Sequence, residues 1–575
     1  MENSKLSLLR TPYLGALLGT ALFFFEFGAA ICKPAYLDWQ IQNDPAQHYL
    51  GWEFFRHEAW HLPLGKIAGY GAPEGSSIVF TDSIPLFALF FKFIRGVLPQ
   101  PFQYTGLWML FCYMLQGFFG WMLGSLVTRS NWCRAMVSFL FIVSPPMLDR
   151  AVGHHSLMGH WVLLAALYLA FQSSATYAMR HSRMSWHTAW GLVMVLSALV
   201  HLYLYTMVFL IYAGAMVTFL NRCRWRGQGN YLRAAAPAAL GSLALYLEGA
   251  FVVRSSDWAG AWGFGYFSMN LLSPLVPGTT GNPTETSFVS YFLTSQKWAV
   301  AGQLFEGFNY LGIGVWVLVG LALVAKLLLV LSKFWNRGRI EWRVALRSYV
   351  PYPVMAALLL LLLFALSNVI VAGDKTLVTL TLGPKLHHFA EIFRSSGRFF
   401  WPVGYAILWW SLKSVCACIR KTEVAVGVLT LVAGVQALDL SQFFLHHAMP
   451  FRAEEHYSSP LKSQFWPNAV KHYRHVLYYP PGDVGYYVPL GLVAAPEGTT
   501  INVAYKARSN SDSLPRHERE LKSQLESGAL RSDSLYVFRD ATLFEKLGKQ
   551  VPALGLLKQV DGLYVAGMAS VGDGS

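Results

Sequence analysis

A polar stretch at residues 38–60 concentrates side chains that can carry out acid–base chemistry. Its segment NDPAQHYLGWEFFR predicts a helix that begins near Asp44, with Pro45 in the first turn, where proline is tolerated. Asp44, His48 and Trp52 recur every four residues and therefore share one face of this helix. A carboxylate in this position is a candidate general base that deprotonates an acceptor hydroxyl, and helix capping is the structural alternative.

Other carboxylates compete for the same role. Asp38 and Asp82 lie in the same connection between apolar segments, whereas Glu53 and Glu58 are expected to be solvated. Asp82 is retained as a candidate substrate contact.

A second segment, DRAVGHHSLMGHW at residues 149–161, crowds five ionisable side chains into twelve positions, and these are Asp149, Arg150, His154, His155 and His160. Arg150 could hold a phosphate through its guanidinium fork. Asp149 with His154 or His155 could instead bind a divalent metal, and histidines bonded to backbone are the structural alternative. HHxxxxH is not a familiar metal-ligand spacing, so the sequence requires no metal.

A third segment, GPKLHHFAEIFRSSGRFFWP, carries Lys385, His388, Arg394 and Arg398. Arg394 and Arg398 are four residues apart and are predicted to share one helix face. Both precede an apolar segment on the side where the positive-inside rule expects few cations. A lipid-phosphate ligand explains cations in that place, and anionic lipid headgroups are the alternative.

The elements that must position these residues are helices in a membrane. The chain has 575 residues, of which 54% are hydrophobic and 13% are charged, and its mean hydropathy is +0.38. Its apolar runs are too long for barrel strands, so the predicted class is a polytopic α-helical membrane protein. Eleven spans are predicted, at about 13–32, 104–126, 135–148, 160–174, 187–202, 204–221, 234–252, 309–332, 351–372, 400–413 and 424–440.

Basic residues in alternate connections orient this set of spans. The N-terminus and the second–third, fourth–fifth, sixth–seventh, eighth–ninth and tenth–eleventh connections carry the arginines and lysines, which predicts a cytoplasmic location for them. The net charge of +14 is explained in the same way, so it does not indicate nucleic acid. The opposite connections are then external, which means periplasmic in a Gram-negative inner membrane.

Two domains are predicted. Residues 1–440 form the transmembrane domain, with a large first external loop at 33–103 that contains an interfacial or re-entrant helix within 83–99. Residues 441–575 alternate helix-like and strand-like segments, which predicts a small external α/β domain. This tail contains no cysteine, so no disulfide framework is expected there.

The motifs DPAQHYLGWEFFR, SSIVFTDSIPL, GHHSLMGHW, EGFNYLG and FRSSGRFFWP resemble those of an uncharacterised family of bacterial GT-C-like membrane proteins. The wider arrangement resembles the GT-C class of integral-membrane glycosyltransferases. The resemblance runs from the first span to about residue 410 and does not extend over the tail. It implies a polyprenyl-phosphate sugar donor, an external acceptor, and inversion at the anomeric carbon.

The resemblance also implies roles for individual residues. By motif position Asp44 is the catalytic base. The placement and chemistry of the cations themselves make Arg394, Arg398, Lys385 and Arg150 the expected donor-phosphate contacts, which agrees with this role. Many GT-C enzymes have a second acid or an acidic pair in the second external loop. This chain offers Asp149 followed by arginine and histidines, so a divalent metal at Asp149 and His154 stays an alternative. Further expected substrate contacts are His48, Trp52, Asp82, His154, His155, His160, Glu306 and His388.

The sequence therefore predicts a glycosyltransferase of the cell envelope that acts on a glycan, lipid or protein acceptor. A flippase or transporter of lipid-linked glycans is the main alternative, but it would place polar groups at mid-membrane depth and often shows an inverted repeat. This chain concentrates its ionisable groups in the external connections instead. A structural subunit of a polysaccharide export machine is the third alternative.

Overall fold

A computed structural model describes residues 11–41, 43–181, 184–252, 262–276, 300–335, 350–419, 421–452, 456–508, 513–551 and 554–569. The predicted eighth–ninth basic connection lies mostly outside the described residues, as do the segments at 253–261 and 277–299 of the predicted fourth external loop.

The structure is mostly helical. In the first part of the chain the helices are α1 (Pro12–Phe27), α2 (Asn43–His57), α3 (Pro85–Phe93), α4 (Thr105–Ser125), α5 (Asn131–Ile142), α6 (Pro145–Leu148), α7 (Trp161–Ala170), α8 (Ser174–Arg180), α9 (Trp186–Val200), α10 (Leu202–Arg222) and α11 (Gln228–Leu247). In the second part they are α12 (Gly302–Phe305), α13 (Ile313–Trp335), α14 (Tyr352–Leu366), α15 (Pro384–Glu391), α16 (Trp401–Cys418), α17 (Thr422–Asp439), α18 (Ser441–Arg452), α19 (Phe465–His472), α20 (Tyr487–Ala494), α21 (Ser513–Ser527) and α22 (Ala541–Gln550).

In the described part of the chain the strands are short and fall into three sheets. They are β1 (Lys66–Ile67), β2 (Ser76–Ser77), β3 (Val369–Ala372), β4 (Lys375–Thr379), β5 (His475–Tyr479), β6 (Thr500–Ile501), β7 (Ser534–Phe538), β8 (Leu556–Val560) and β9 (Leu563–Gly567). β1 with β2 and β3 with β4 form antiparallel hairpins, and the other five strands form one sheet.

Every segment predicted as a span contains a helix, but the prediction of about eleven transmembrane helices is not confirmed. Among the described residues, α4, α10 and α17 are long and apolar enough to cross a membrane. Two bent helix pairs, which begin at Asn131 and His155, raise this number to five if each pair is one span. α1, α9, α14 and the first part of α13 are apolar but shorter. The predicted break between the fifth and sixth spans is present, because His201 accepts a hydrogen bond from the Tyr203 N–H and caps α10.

The chain divides into two compact units. Unit 1 comprises residues 1–33, 104–243 and 262–453, and unit 2 comprises residues 34–103, 244–261 and 454–575. Unit 1 contains the helices that are long and apolar enough to span a membrane. The first external loop was predicted to belong to the transmembrane domain, but it groups with the C-terminal segment.

Several basic connections of unit 1 meet at one end of its helices. The Lys413 ammonium donates to the Leu126 carbonyl at 2.6 Å, and Arg134 Nε donates to the Thr128 carbonyl at 3.1 Å. The indole of Trp121 donates to Thr11 Oγ1 at 3.3 Å, so the N-terminal segment lies at the same end of these helices. These connections are among those predicted to lie together on the cytoplasmic side.

In unit 2 the C-terminal segment forms the predicted α/β domain. Its sheet has the order β6-β5-β7-β9-β8, with β5 parallel to β6 and β7, and β9 antiparallel to β7 and β8. α21 and α22 bury leucines against one face of this sheet, where Leu525, Tyr536, Phe538 and Leu547 form the centre of a core cluster. The apolar run at 83–99 contains the short helix α3, and its interfacial or re-entrant placement stays a prediction.

Candidate active site

A buried carboxylate in unit 1 holds two arginines. Glu306, which is 5% exposed, accepts a bidentate pair of hydrogen bonds from Arg398, with Nε at 2.7 Å and Nη2 at 2.5 Å. Arg150 donates to the same carboxylate through Nη1 at 3.2 Å, and His154 Nε2 lies 3.4 Å from Glu306 Oε1. We call Asp149, Arg150, His154, Glu306 and Arg398 the Glu306 cluster. It joins three segments whose motifs carried the resemblance.

Close backbone packing brings two of these segments together. Gly397 lies against the residue that follows Glu306, and a Cβ at position 397 would be 2.8 Å from the Gly307 Cα. The Asn309 side chain donates to the Gly397 carbonyl at 3.0 Å and to the Gly307 carbonyl at 3.1 Å. Asp439 accepts from the Tyr310 hydroxyl at 2.8 Å, which anchors the EGFNYLG segment to the end of α17. The Glu306–Arg398 pair therefore rests on a fixed backbone.

The charges of the Glu306 cluster balance. Arg150 also contacts the Asp149 carboxylate through Nη2, so two arginines face two acids. Burial would raise the pKa of Glu306, but the guanidinium groups of Arg398 and Arg150 outweigh burial and hold this pKa well below its ordinary value. Glu306 is therefore ionised at neutral pH and cannot serve as a general acid there.

Aromatic rings surround the arginines. The Arg398 guanidinium lies 4.9 Å from the Tyr203 ring centroid, and that of Arg150 lies 6.0 Å from the Trp401 ring. His160 is fully buried, its ring centroid lies 4.3 Å from that of Trp401 at an interplanar angle of 36°, and it makes a 2.7 Å hydrogen bond to the Tyr405 hydroxyl. His155 is also buried, and its carbonyl accepts from the Trp108 indole at 2.7 Å. Tyr203 was missed from sequence, because an aromatic residue at the start of an apolar helix carries no signal of its own.

The other predicted phosphate contacts are placed differently. Lys385 and His388 are exposed on α15, and Arg394 is half-buried in a bend after that helix. Arg398 lies in a separate 3-10 helix, Ser396–Phe400. The prediction that Arg394 and Arg398 share one helix face is therefore wrong, because the SSG sequence between them ends the helical path.

In unit 2 the predicted catalytic helix forms as α2, with Asp44 in its first turn. Asp44 is half-buried, whereas His48 and Trp52, one and two turns later, are 2% and 1% exposed. Trp52 donates its indole N–H to the Phe102 carbonyl at 2.9 Å, which fixes the helix against the end of the loop. His48 Nε2 lies 3.9 Å from Asp82 Oδ2, so the two predicted substrate contacts of this loop are neighbours.

The turn that carries Asp82 is strained. Asp82 and Ile84 both have a φ of 52°, which aspartate tolerates and a β-branched residue rarely adopts. Ser83 Oγ donates to the His48 carbonyl at 2.9 Å and holds this turn on α2. Gly51 permits the contact, because a Cβ there would lie 2.2 Å from Thr81 Oγ1. Strain that surrounding contacts maintain in this way is typical of functional segments.

A tyrosine of the C-terminal segment lies beside Asp44. Tyr487 begins α20, which packs on α2 where Gly491 meets Leu50. Burial and the nearby Asp44 carboxylate raise the pKa of the Tyr487 phenol. Tyr505 stacks next to Tyr487 with ring centroids 6.2 Å apart. Sequence reasoning missed this pair, because nothing local to GYYVPLG indicates a partner in the first external loop.

The metal considered for Asp149 and His154 stays a prediction. Asp149 is in contact with the Arg150 guanidinium, and His154 Nε2 faces the Glu306 carboxylate. A metal would have to compete with these contacts.

Two sequence profiles match the chain. The profile described as Domain of unknown function (DUF6311) covers residues 16–441, and the one described as DUF6311 C-terminal domain covers residues 465–568. No curated protein matches the sequence. Among solved structures, the chain is similar to the apo form of the oligosaccharyltransferase of Archaeoglobus fulgidus, with 11% identity and a TM-score of 0.38 over 93% of this chain and 69% of that chain.

Proposed function

We propose that this chain, which belongs to the DUF6311 family, is a membrane glycosyltransferase of the GT-C type. It moves a monosaccharide from a polyprenyl-phosphate donor to a hydroxyl of an external glycan, lipid or protein acceptor. In this proposal it acts in the inner membrane of the cell, with the catalytic side and the C-terminal domain outside the cytoplasm.

The observation that supports the proposal most is the Glu306 cluster. The motifs GHHSLMGHW, EGFNYLG and FRSSGRFFWP resemble segments of GT-C-like proteins, and they meet at the Glu306 carboxylate through His154, Glu306 and Arg398. Arg150, just before the first motif, bonds to the same carboxylate. Each guanidinium carries five N–H donors, which is more than one carboxylate can accept. Arg150 and Arg398 can therefore bind phosphate oxygens while Glu306 keeps them in position.

Each group has a defined part in the proposed reaction. The Asp44 carboxylate takes the proton of the acceptor hydroxyl while its oxygen forms a bond to the anomeric carbon. The bond between that carbon and the phosphate oxygen breaks, and polyprenyl phosphate leaves with the electron pair. Arg150 and Arg398 stabilise the charge that develops on the leaving phosphate. A single displacement of this kind inverts the anomeric centre.

The test uses the full-length protein in lipid nanodiscs with a panel of radiolabelled polyprenyl-phosphate sugars and envelope-derived acceptors. We expect one donor to release free polyprenyl phosphate only when an acceptor is present, with label transferred to the acceptor. Arg398→Lys keeps the charge but loses the fork, so it should raise the KM for the donor more than the KM for the acceptor. Arg516→Gln, which removes an exposed arginine of the C-terminal domain, is the matched control.

Two outcomes would redirect the proposal. Movement of intact lipid-linked glycan across vesicles, with no cleavage of any donor, would indicate a transporter. The second outcome is that EDTA abolishes turnover, that a divalent ion restores it, and that the ion does not restore turnover in an Asp149→Asn variant. This result would add a metal at Asp149 and His154.

A further inference from the structure

An apolar groove of about 400 Å³ opens between helices of unit 1. It is lined by residues of α1, α4, α7, α8 and α9, among them Phe119 and Leu169. Tyr13, Leu192 and Met184 also line it and are 56%, 51% and 38% exposed. Its size falls within the range of roughly 300–1,000 Å³ that is typical of small-molecule sites.

Polar groups gather at one part of this groove. The Tyr168 hydroxyl and His181 Nε2 form a 2.8 Å hydrogen bond, and the Tyr177 ring stacks on His181 at 4.3 Å. Arg180 is exposed next to His181 and interacts with Tyr168. The groove therefore has an apolar body and a polar, positively charged rim.

Two further cations lie near Arg180. Arg134 and Lys413 are each close enough to Arg180 for their charges to interact. Both are held in place by carbonyls at the end of α4, through Arg134 Nε to Thr128 at 3.1 Å and Lys413 Nζ to Leu126 at 2.6 Å. Arg180 is therefore repelled by two like charges, and a bound anion would relieve that repulsion.

We propose that this groove binds an anionic phospholipid, with one hydrocarbon chain in the apolar body and the phosphate held by Arg134, Arg180 and Lys413. Basic pockets between membrane helices are suited to such headgroups. The apolar lining favours a lipid over a free phosphate, because a free phosphate has no hydrocarbon chain to bury in the groove. The site involves neither the Glu306 cluster nor α2, so it stands independently of the proposed catalytic function.

The test measures the binding of phosphatidylglycerol and phosphatidylcholine to delipidated full-length protein by native mass spectrometry. We expect tighter binding of phosphatidylglycerol, and roughly fivefold weaker binding for each cation removed in Arg180→Gln and Lys413→Gln. Arg222→Gln, at an exposed cation in the last turn of α10, is the charge-matched control and should change nothing.

A second variant tests the apolar body without changing charge. Leu192→Trp should fill the groove and weaken phosphatidylglycerol binding, whereas Leu360→Trp, at a 57% exposed position of α14, should not. Equal binding of the two lipids would overturn the proposal. So would a loss of phosphatidylglycerol binding in Arg222→Gln that is as large as the loss in Arg180→Gln or Lys413→Gln. Displacement of the lipid by excess inorganic phosphate, with no effect of Leu192→Trp, would also overturn it, because the site would then bind a free anion.

Discussion

Glu306 is the residue on which the buried arginines Arg150 and Arg398 depend. It is bonded to Arg398 through both carboxylate oxygens and to Arg150 through one of them. Burying charges is costly unless each has a well-placed partner, and removal of one partner leaves the others uncompensated. Glu306 therefore keeps the two guanidinium groups ordered, and in the proposed reaction this positions them for the donor phosphate.

Replacement of Glu306 by glutamine should be strongly destabilising. Glu306→Gln leaves the buried guanidinium of Arg398 without its carboxylate, which costs about 3–5 kcal/mol by analogy with other buried pairs. Thermal unfolding of the purified protein in detergent should show a lower midpoint. Glu423→Gln, at an exposed carboxylate in the first turn of α17, should unfold as wild type does. Equal midpoints for Glu306→Gln and wild type would show that the cluster does not stabilise the fold.

The same carboxylate predicts a pH dependence. Because the folded pKa of Glu306 is depressed, its contribution to stability is complete above the ordinary carboxyl pKa of about 4.3 and is lost as the pH falls towards the folded value. The difference in unfolding midpoint between wild type and Glu306→Gln should be constant near neutrality and should narrow below about pH 4. A difference in unfolding midpoint that widens on acidification would contradict the lowered pKa of Glu306.

At the scale of elements, the site depends on the contact between the segments at 306–312 and 393–400. Neither segment is a long helix, so hydrogen bonds from Asn309 and the close approach of Gly307 and Gly397 fix their relative position. Glycine is required where two backbones come so near.

A methyl group at this contact should separate the two segments. Gly397→Ala would place a Cβ 2.8 Å from the Gly307 Cα and 3.2 Å from the Glu306 carbonyl, which should cost about 1–3 kcal/mol of stability. Gly383→Ala, earlier in the same connection, meets no atom within 4 Å and is the control. Comparable unfolding midpoints for the two variants would show that the contact can relax.

Sequence patterns predicted the local elements better than their contacts. The alternation of helix-like and strand-like segments predicted the C-terminal α/β domain, and a four-residue spacing placed Asp44, His48 and Trp52 on one face of α2. The same spacing failed for Arg394 and Arg398, because Ser395, Ser396 and Gly397 interrupt the helix. The pairing of Glu306 with Arg398, 92 positions apart, could not be predicted, because no local periodicity encodes a contact between distant loops.

At the scale of the whole molecule, residues 34–103 form one unit with the C-terminal segment. The turn after β1 extends the C-terminal sheet, since Tyr70 pairs with Ile501 in a parallel bridge. Lys506 Nζ donates to the Gly75 carbonyl at 2.9 Å, and the Tyr70 hydroxyl donates to the Tyr505 carbonyl at 2.9 Å. The C-terminal domain therefore supports the loop that carries Asp44.

Loss of one of these contacts should loosen the loop. Lys506→Met removes the donor to Gly75 and should increase cleavage within residues 34–103 during limited proteolysis, because opening of the loop becomes more frequent. Lys546→Met, at an exposed position of α22, should leave the cleavage rate unchanged. Identical cleavage in both variants would argue that the C-terminal domain does not stabilise the loop.

The most direct test of the central claim is the turnover of an Asp44→Asn variant with the polyprenyl-phosphate sugar that wild type accepts. A general base contributes about 10²–10⁴-fold to rate, so the variant should lose at least 100-fold in release of polyprenyl phosphate while its donor binding and unfolding midpoint stay unchanged. Asp374→Asn, at an exposed aspartate between β3 and β4, should retain full activity. An Asp44→Asn protein that releases polyprenyl phosphate as fast as wild type would contradict the account.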